Sequence, residues 1–74
     1  MARLPGFSAA EVIRKLRRAG FVFERQARGS HEIWRNPVTQ ARTIVLNHPG
    51  DLPTGTVRAI IRQAGLTLDE FLEL

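Results

Sequence analysis

The side chain best suited to acid–base chemistry is His31, in the segment Gly29-Ser30-His31-Glu32-Ile33-Trp34. An imidazole is the only side chain whose unperturbed pKa allows proton exchange near neutral pH. Arg25, Arg28 and Arg35 flank it, and guanidinium groups bind phosphate through paired hydrogen bonds. A histidine among arginines suits a phosphate-rich substrate, so the pattern indicates nucleic acid binding and suggests cleavage.

The simplest reaction for such a site is RNA cleavage through the substrate's own 2′-hydroxyl. His31 can act as the base that removes the hydroxyl proton, which accelerates reactions about 10²–10⁴-fold. Arg28 and the backbone N–H groups of Gly29 and Ser30 can hold the charge on the phosphate oxygens. Only RNA carries this hydroxyl, so the site would bind DNA without cutting it.

Four further residues are candidates for weaker reasons. Lys15 and Arg18 lie on the predicted basic face of the first helix, from which they can reach an RNA backbone. His48 is a candidate second proton-transfer group, but a loop histidine that closes a turn is an equally good interpretation. Trp34 becomes a base-stacking platform if its ring is exposed.

The composition is that of a small folded protein. The chain has 74 residues, of which 43% are hydrophobic and 24% charged. This length fits a single domain over residues 1–74 with a thin core, because so short a chain buries only about 60% of its unfolded surface. No apolar run approaches the roughly 20 residues of a transmembrane helix, and no signal-peptide pattern is present. We therefore expect a cytoplasmic protein without a membrane partner.

Cysteine is absent, and His31 and His48 do not fit a short zinc motif, so we expect no metal and no cofactor.

The charged residues are unevenly distributed. The formal net charge is +4, and all eleven basic residues lie in residues 1–62. Residues 63–74 hold acidic side chains only. Such a field attracts polyanions such as RNA, although a solvated basic surface explains the same composition equally well.

Capping patterns predict three helices. Ser8 and Glu11 form an S-x-x-E capping box for the first helix, and Thr67 and Glu70 repeat it for a short last one. The predicted basic face of the first helix comprises Arg14, Lys15, Arg17 and Arg18. The apolar face of the second helix comprises Val57, Ile60, Ile61 and Ala64, with Thr54 or Thr56 as its cap.

Three segments predict strands: residues 21–26, 30–35 and 42–46. Phe21 and Phe23 share a face of the first strand and are predicted to lie in the core. In the second strand, alternation puts His31 and Ile33 on one side and Trp34 on the other. The sequence leaves open which side is buried, and a buried Trp34 would place His31 on the open face.

The order of elements, α-β-β-β-α-α, predicts an α+β fold with two layers. Short links between successive strands favour a three-stranded antiparallel sheet, with the helices on one face. The other face of the sheet is left to solvent or to a partner.

Five segments carry a family resemblance: Ser8-Ala9-Ala10-Glu11-Val12-Ile13, Gly20-Phe21, Gly29-Ser30-His31-Glu32-Ile33-Trp34, Asn47-His48-Pro49-Gly50 and Gly55-Thr56-Val57-Arg58-Ala59-Ile60-Ile61-Arg62-Gln63-Ala64-Gly65-Leu66. In this order and spacing they resemble the HicA mRNA interferase toxins of bacterial toxin–antitoxin pairs. The resemblance runs over nearly the whole chain.

The resemblance implies a fold like the double-stranded RNA-binding domain, metal-independent cleavage of mRNA and inhibition of translation. The family's catalytic histidine falls on His31 and its preceding glycine on Gly29, and a HicB-type antitoxin is the implied partner. A non-catalytic RNA-binding module is the alternative, but residues 51–55 lack the lysine cluster usual in duplex binders. A third interpretation is a protein-interaction module whose basic face meets an acidic partner.

Overall fold

The computed structural model describes residues 4–74, which form three helices and one sheet. The elements are α1 (Ala9–Arg18), β1 (Val22–Gln26), β2 (His31–Arg35), β3 (Arg42–Leu46), α2 (Thr54–Gln63) and α3 (Leu68–Leu72). The sheet is antiparallel in the order β1-β2-β3. The predicted α+β class and element order are confirmed, whereas the likeness to the double-stranded RNA-binding domain stays a prediction. Within the described residues, no helix is both long and apolar enough to cross a membrane.

The predicted capping box at the start of α1 is confirmed. The Glu11 N–H donates to Ser8 Oγ at 3.2 Å, and the Ser8 N–H donates to Glu11 Oε1 at 3.1 Å. α1 ends at Arg18, and the φ of +97° at the following Gly20 lets the Phe21 N–H return to the Leu16 carbonyl at 2.9 Å. This turn sends the chain from α1 directly into β1.

The core lies between the helices and one face of the sheet. Its largest fully buried side chains include Trp34, Phe71, Leu16 and Ile60. Trp34 is paired with Thr43 across β2 and β3, and both are 1% exposed. Because side chains alternate along a strand, the burial of Trp34 places His31 on the open face.

The prediction that Phe23 lies in the core is wrong. Phe21 is buried just before β1, but Phe23 is 47% exposed. β1 is an outer strand of the sheet, and the helices pack most closely over β3. Phe23 therefore faces the helix side without being covered, and its ring meets that of Trp34 edge-on, with centroids 5.7 Å apart.

The predicted threonine cap of α2 is also wrong. Pro53 occupies the N-cap position, Thr54 is already helical, and no side chain caps the helix. By contrast, the second predicted box is present, since the Glu70 N–H donates to Thr67 Oγ1 at 3.1 Å. Pro53 supplies a preset backbone angle at the start of α2 rather than a hydrogen-bonding cap.

Candidate functional site

His31 is the first residue of β2, and its exposed side chain follows a tight turn. The turn is closed by two backbone hydrogen bonds, from the Ala27 N–H to the His31 carbonyl at 2.7 Å and from the His31 N–H to the Arg28 carbonyl at 3.1 Å. Gly29 takes a φ of +59° at the centre of this turn, a left-handed conformation that favours glycine. Glycine therefore forms the bend that presents His31 without the strain that a side chain would add.

The hydrogen bonds of His31 determine which ring nitrogen can accept a proton. Nδ1 lies 2.8 Å from the Arg28 carbonyl oxygen. A carbonyl only accepts hydrogen bonds, so Nδ1 carries the hydrogen in this contact. In the neutral ring the lone pair is then on Nε2, which makes no hydrogen bond within residues 4–74. The exposed Nε2 is thus the ring nitrogen that is free of protein contacts within residues 4–74.

All three carbonyl groups of the turn have donors. His31 donates to the Arg28 carbonyl, and Gln26 Nε2 donates to the Gly29 carbonyl at 2.7 Å. The Asn47 N–H donates to the Ser30 carbonyl at 2.9 Å. The N–H groups of Gly29 and Ser30, in contrast, donate to nothing else in residues 4–74. Successive free N–H groups in a turn form a concavity suited to an anion.

A hydrogen-bond chain connects this turn to the core. The Glu32 carboxylate accepts from Trp34 Nε1 at 3.1 Å and from Asn47 Nδ2 at 2.7 Å. Because the backbone N–H of Asn47 also holds Ser30, the end of β3 is fixed against the start of β2. These hydrogen bonds hold Ser30, the residue before His31, against the end of β3.

Three of these supporting residues were missed from the sequence: Gln26, Glu32 and Asn47. Asn47 and Glu32 do lie within two of the segments that carry the family resemblance, which is the one signal that could have indicated them. Gln26 meets Gly29 through the geometry of the hairpin, which a sequence pattern does not specify.

The arginines of the open face share one carboxylate. Glu24 lies at the irregularity between Phe23 and Arg25, where the register of β1 shifts against β2. Its oxygens lie 3.3 Å from Arg35 Nε and 3.9 Å from Arg25 Nε, and a third contact joins it to Arg42. One half-buried carboxylate therefore balances three guanidinium groups on this face, which leaves an excess of positive charge there.

Arg28 is placed differently from the other arginines. It is exposed in the turn itself, next to Gly29, and forms no ion pair within the described residues. The structure therefore brings Arg28, Gly29, Ser30 and His31 together, with Arg25 and Arg35 on the same side of the sheet.

The prediction that Lys15 lies on the exposed face of α1 is wrong. Lys15 is 6% exposed, and its Nζ donates to the carbonyls of Phe71, Leu72 and Leu74 at 3.2, 3.3 and 2.9 Å. Burial lowers the pKa of Lys15, and the nearby charges of Arg14 and Arg18 lower it further. A lysine on the polar face of a helix is predicted to be exposed, and only the position of α3 shows that it is covered. Lys15 is therefore no longer a candidate RNA-binding residue.

Trp34 is likewise unavailable to a base. Its ring is 1% exposed, with the Arg17 guanidinium 4.8 Å from its centroid and Phe23 against its edge. Trp34 is therefore not a base-stacking platform, because core packing and Arg17 cover its ring.

Arg18 is exposed in the last turn of α1, and this helix packs on the face of the sheet opposite to His31.

His48 is exposed beyond the end of β3, and its contacts are local. Its Nδ1 lies 3.0 Å from the Pro49 carbonyl, and its N–H donates to the Leu46 carbonyl at 3.2 Å. This arrangement fits a turn-closing residue. Within residues 4–74, no group of three or more His, Cys, Asp or Glu side chains could hold a metal ion.

Comparison with known families places the chain among the toxins of bacterial toxin–antitoxin systems. A family model described as the HicA toxin of bacterial toxin–antitoxin matches residues 9–66, from α1 through α2 and including the turn that carries His31. The chain belongs to the HicA toxin family. No curated protein matches it.

Proposed function

We propose that this toxin is an endoribonuclease that cleaves mRNA without a metal ion, with His31 as its general acid/base, and thereby inhibits translation. The observation that carries the proposal is the bond from His31 Nδ1 to the Arg28 carbonyl, which leaves Nε2 open to solvent. Membership of the HicA toxin family supports the toxin role and an RNA substrate.

In the proposed reaction His31 Nε2 takes the proton from a ribose 2′-hydroxyl. The 2′-oxygen attacks the adjacent phosphorus, the bond from phosphorus to the 5′-oxygen breaks, and the 5′-oxygen receives a proton from the imidazolium. The products are a 2′,3′-cyclic phosphate and a 5′-hydroxyl. Arg28 and the N–H groups of Gly29 and Ser30 hold the non-bridging oxygens as negative charge accumulates on them.

The partner proposed for this toxin is a HicB-type antitoxin that covers the turn and its arginines. Acidic side chains on the antitoxin would replace phosphate at Arg28, and its bulk would block Nε2 of His31. A cytoplasmic location, where mRNA is available, and a single domain over residues 1–74 complete the proposal.

The decisive test compares the wild type with His31→Ala on a single-stranded RNA in the presence of EDTA. We expect a loss of cleavage of about 10²–10⁴-fold, whereas the matched control His48→Ala keeps most of the activity. Circular dichroism and thermal unfolding check that the three proteins are equally folded. Equal cleavage by wild type and His31→Ala would remove the mechanism.

A second arm identifies the nucleophile. A single 2′-deoxy substitution at the cleaved position should block scission there and leave binding intact, because the attacking oxygen is gone. Mass spectrometry of the products should find the cyclic phosphate. Duplex-selective binding with no scission by the wild type would instead favour the non-catalytic RNA-binding module.

A further inference from the structure

A second feature is a cleft of about 440 Å³ that joins residues of the open face to Thr43 and Gln63 on the helix side of β3. It is lined by Arg25, Ile33, Arg42, Thr43, Ile44 and Gln63. Ile33 lies two residues beyond His31 on the same face of β2, which corresponds to about 7 Å along the strand. The cleft is therefore within reach of the nucleotide next to one bound at His31.

The floor of this cleft is apolar, and one wall carries a fixed amide. Ile33 and Ile44 are paired across β2 and β3, and Ile44 is 50% exposed although it is a large aliphatic residue. Thr43 Oγ1 donates to Gln63 Oε1 at 2.8 Å. That bond orients the Gln63 amide and leaves its Nε2, which has no other partner in residues 4–74, as a donor.

The backbone of Ile44 adds a donor and an acceptor at the cleft. The β2–β3 ladder is bonded from the Asn47 N–H to the Ser30 carbonyl at one end and from the Asn36 N–H to the Ala41 carbonyl at the other. Because bonded and non-bonded pairs alternate in an antiparallel ladder, the register places Ile44 in a non-bonded pair. Its N–H and C=O therefore point to the outer edge of β3.

The charge of the cleft selects an anionic occupant. Arg25 and Arg42 stand on its rim, none of the six lining residues is acidic, and both arginines are joined only to the one carboxylate of Glu24. An apolar floor, a fixed amide donor, an edge donor and acceptor, and two guanidinium groups match the base and phosphate of a nucleotide. The volume lies within the roughly 300–1,000 Å³ of small-ligand sites.

We propose that this cleft is a nucleotide subsite that holds the residue next to the cleaved bond and gives the toxin a base preference there. The base lies on Ile33 and Ile44 and extends to the outer edge of β3, where Gln63 Nε2 donates to an acceptor on the base, and Arg42 or Arg25 binds the phosphate. The proposal rests on the proposed function for the position of the scissile bond, and its continuity with His31 favours RNA over a protein segment.

The first experiment follows binding without turnover. The His31→Ala protein, with labelled isoleucine and valine methyl groups and side-chain amides, is titrated with a six-nucleotide RNA of mixed sequence. We expect resonances of Ile33, Ile44 and Gln63 to shift, while Val38, which is 88% exposed and outside the cleft, does not. Shifts confined to other surfaces, or shifts at the isoleucines with an acidic peptide but not with RNA, would overturn the subsite.

The second experiment changes the amide while keeping the fold. Gln63→Glu retains the acceptor for Thr43 but replaces the donor by an oxygen, and Thr56→Glu adds the same charge on α2 away from the cleft. Loss of one hydrogen bond should alter base preference at the flanking position and raise KM about fivefold beyond the Thr56→Glu control, with kcat little changed.

The outcomes separate the two proposals. If the wild type cleaves RNA and the Gln63→Glu and Thr56→Glu variants show the same base preference, the subsite proposal is wrong and the nuclease proposal is unaffected. Binding at Ile33 and Ile44 by a wild type that never cleaves RNA would overturn the nuclease and leave the cleft as a nucleotide-binding site without a cleaved bond beside it.

Discussion

At the scale of single residues, the site depends on a backbone conformation as much as on an imidazole. Gly29 adopts a left-handed φ, and that bend directs the carbonyl of Arg28 toward His31 Nδ1. A Cβ at Gly29 would meet nothing within 4 Å, so the demand for glycine here is conformational and not steric. The turn itself therefore selects the nitrogen that is left free.

Gly29→Ala should consequently lower both stability and RNA cleavage. A non-glycine residue in the left-handed region costs about 1–2 kcal/mol, and relaxation of the turn would move the N–H groups that are proposed to hold phosphate. The matched control is Gly55→Ala, at a helical position without positive φ or close neighbours, which should stabilise the protein by about 0.5–1 kcal/mol. Urea unfolding measures both values, and equal stability of the two variants would contradict the argument.

At the scale of elements, the junction between β2 and β3 holds the turn in place. Asn47 donates twice, through its backbone to Ser30 and through its amide to Glu32, and Glu32 in turn accepts from the buried indole of Trp34. These hydrogen bonds connect the end of β3, the start of β2 and the buried Trp34. Replacing one of the donors by an acceptor breaks the connection.

Asn47→Asp should weaken cleavage because it places a second carboxylate against Glu32. We expect a loss of about 1 kcal/mol of stability and a fall in kcat. The double variant Asn47→Asp with Glu32→Gln exchanges donor and acceptor, keeps an acceptor for Trp34, and should restore both values. A double variant as impaired as the single one would show that the Asn47–Glu32 bond does not position the turn.

The cap of α1 makes a separate, pH-dependent prediction. Hydrogen bonds from the backbone and side chain of Ser8 lower the pKa of Glu11 below its usual 4.5. Because the native pKa is depressed, the cap contributes fully above 4.5, and its contribution is lost as the pH falls through the lower native value. Ser8→Ala removes only the side-chain hydrogen bond, so an NMR titration should find the pKa of Glu11 moved part of the way toward 4.5. An unchanged value would contradict the contribution of the Ser8 side chain.

At the scale of the whole molecule, Lys15 joins the first helix to the last. Its ammonium group donates hydrogen bonds to the carbonyls of Phe71, Leu72 and Leu74. It also lies 5.4 Å from the ring centroid of Phe71 and 5.6 Å from the ring centroid of Phe7. A basic side chain thus closes the core of a protein too small to bury a large apolar interior.

Lys15→Met should therefore destabilise the fold without touching the site. Loss of the donor to the partly buried carbonyls of Leu72 and Leu74 costs about 1–3 kcal/mol. His31 lies on the other side of the sheet, so its proposed role should be unaffected. Arg14→Met, at an exposed position of the same helix, is the control and should change stability by less than about 0.5 kcal/mol. A fall in kcat at temperatures where Lys15→Met remains folded would contradict this separation.

Local patterns in the sequence were sufficient for most of the fold and for the centre of the site. The capping boxes at Ser8 and Thr67 and the glycine turn before His31 involve residues at most three or four apart, so the pattern already contains the interaction. The element order followed from these signals. The same locality explains why Arg28, Gly29, Ser30 and His31 could be proposed together.

Tertiary structure alone decided which side chains are accessible. Trp34 and His31 could each have faced the helices, and packing of α1 and α2 chose Trp34. Lys15 became buried because α3 returns to it from 56 residues away, and the register shift in β1 is what places Glu24 among the arginines. Burial, strand register and long-range hydrogen bonds depend on where distant segments meet, and no local periodicity carries that information.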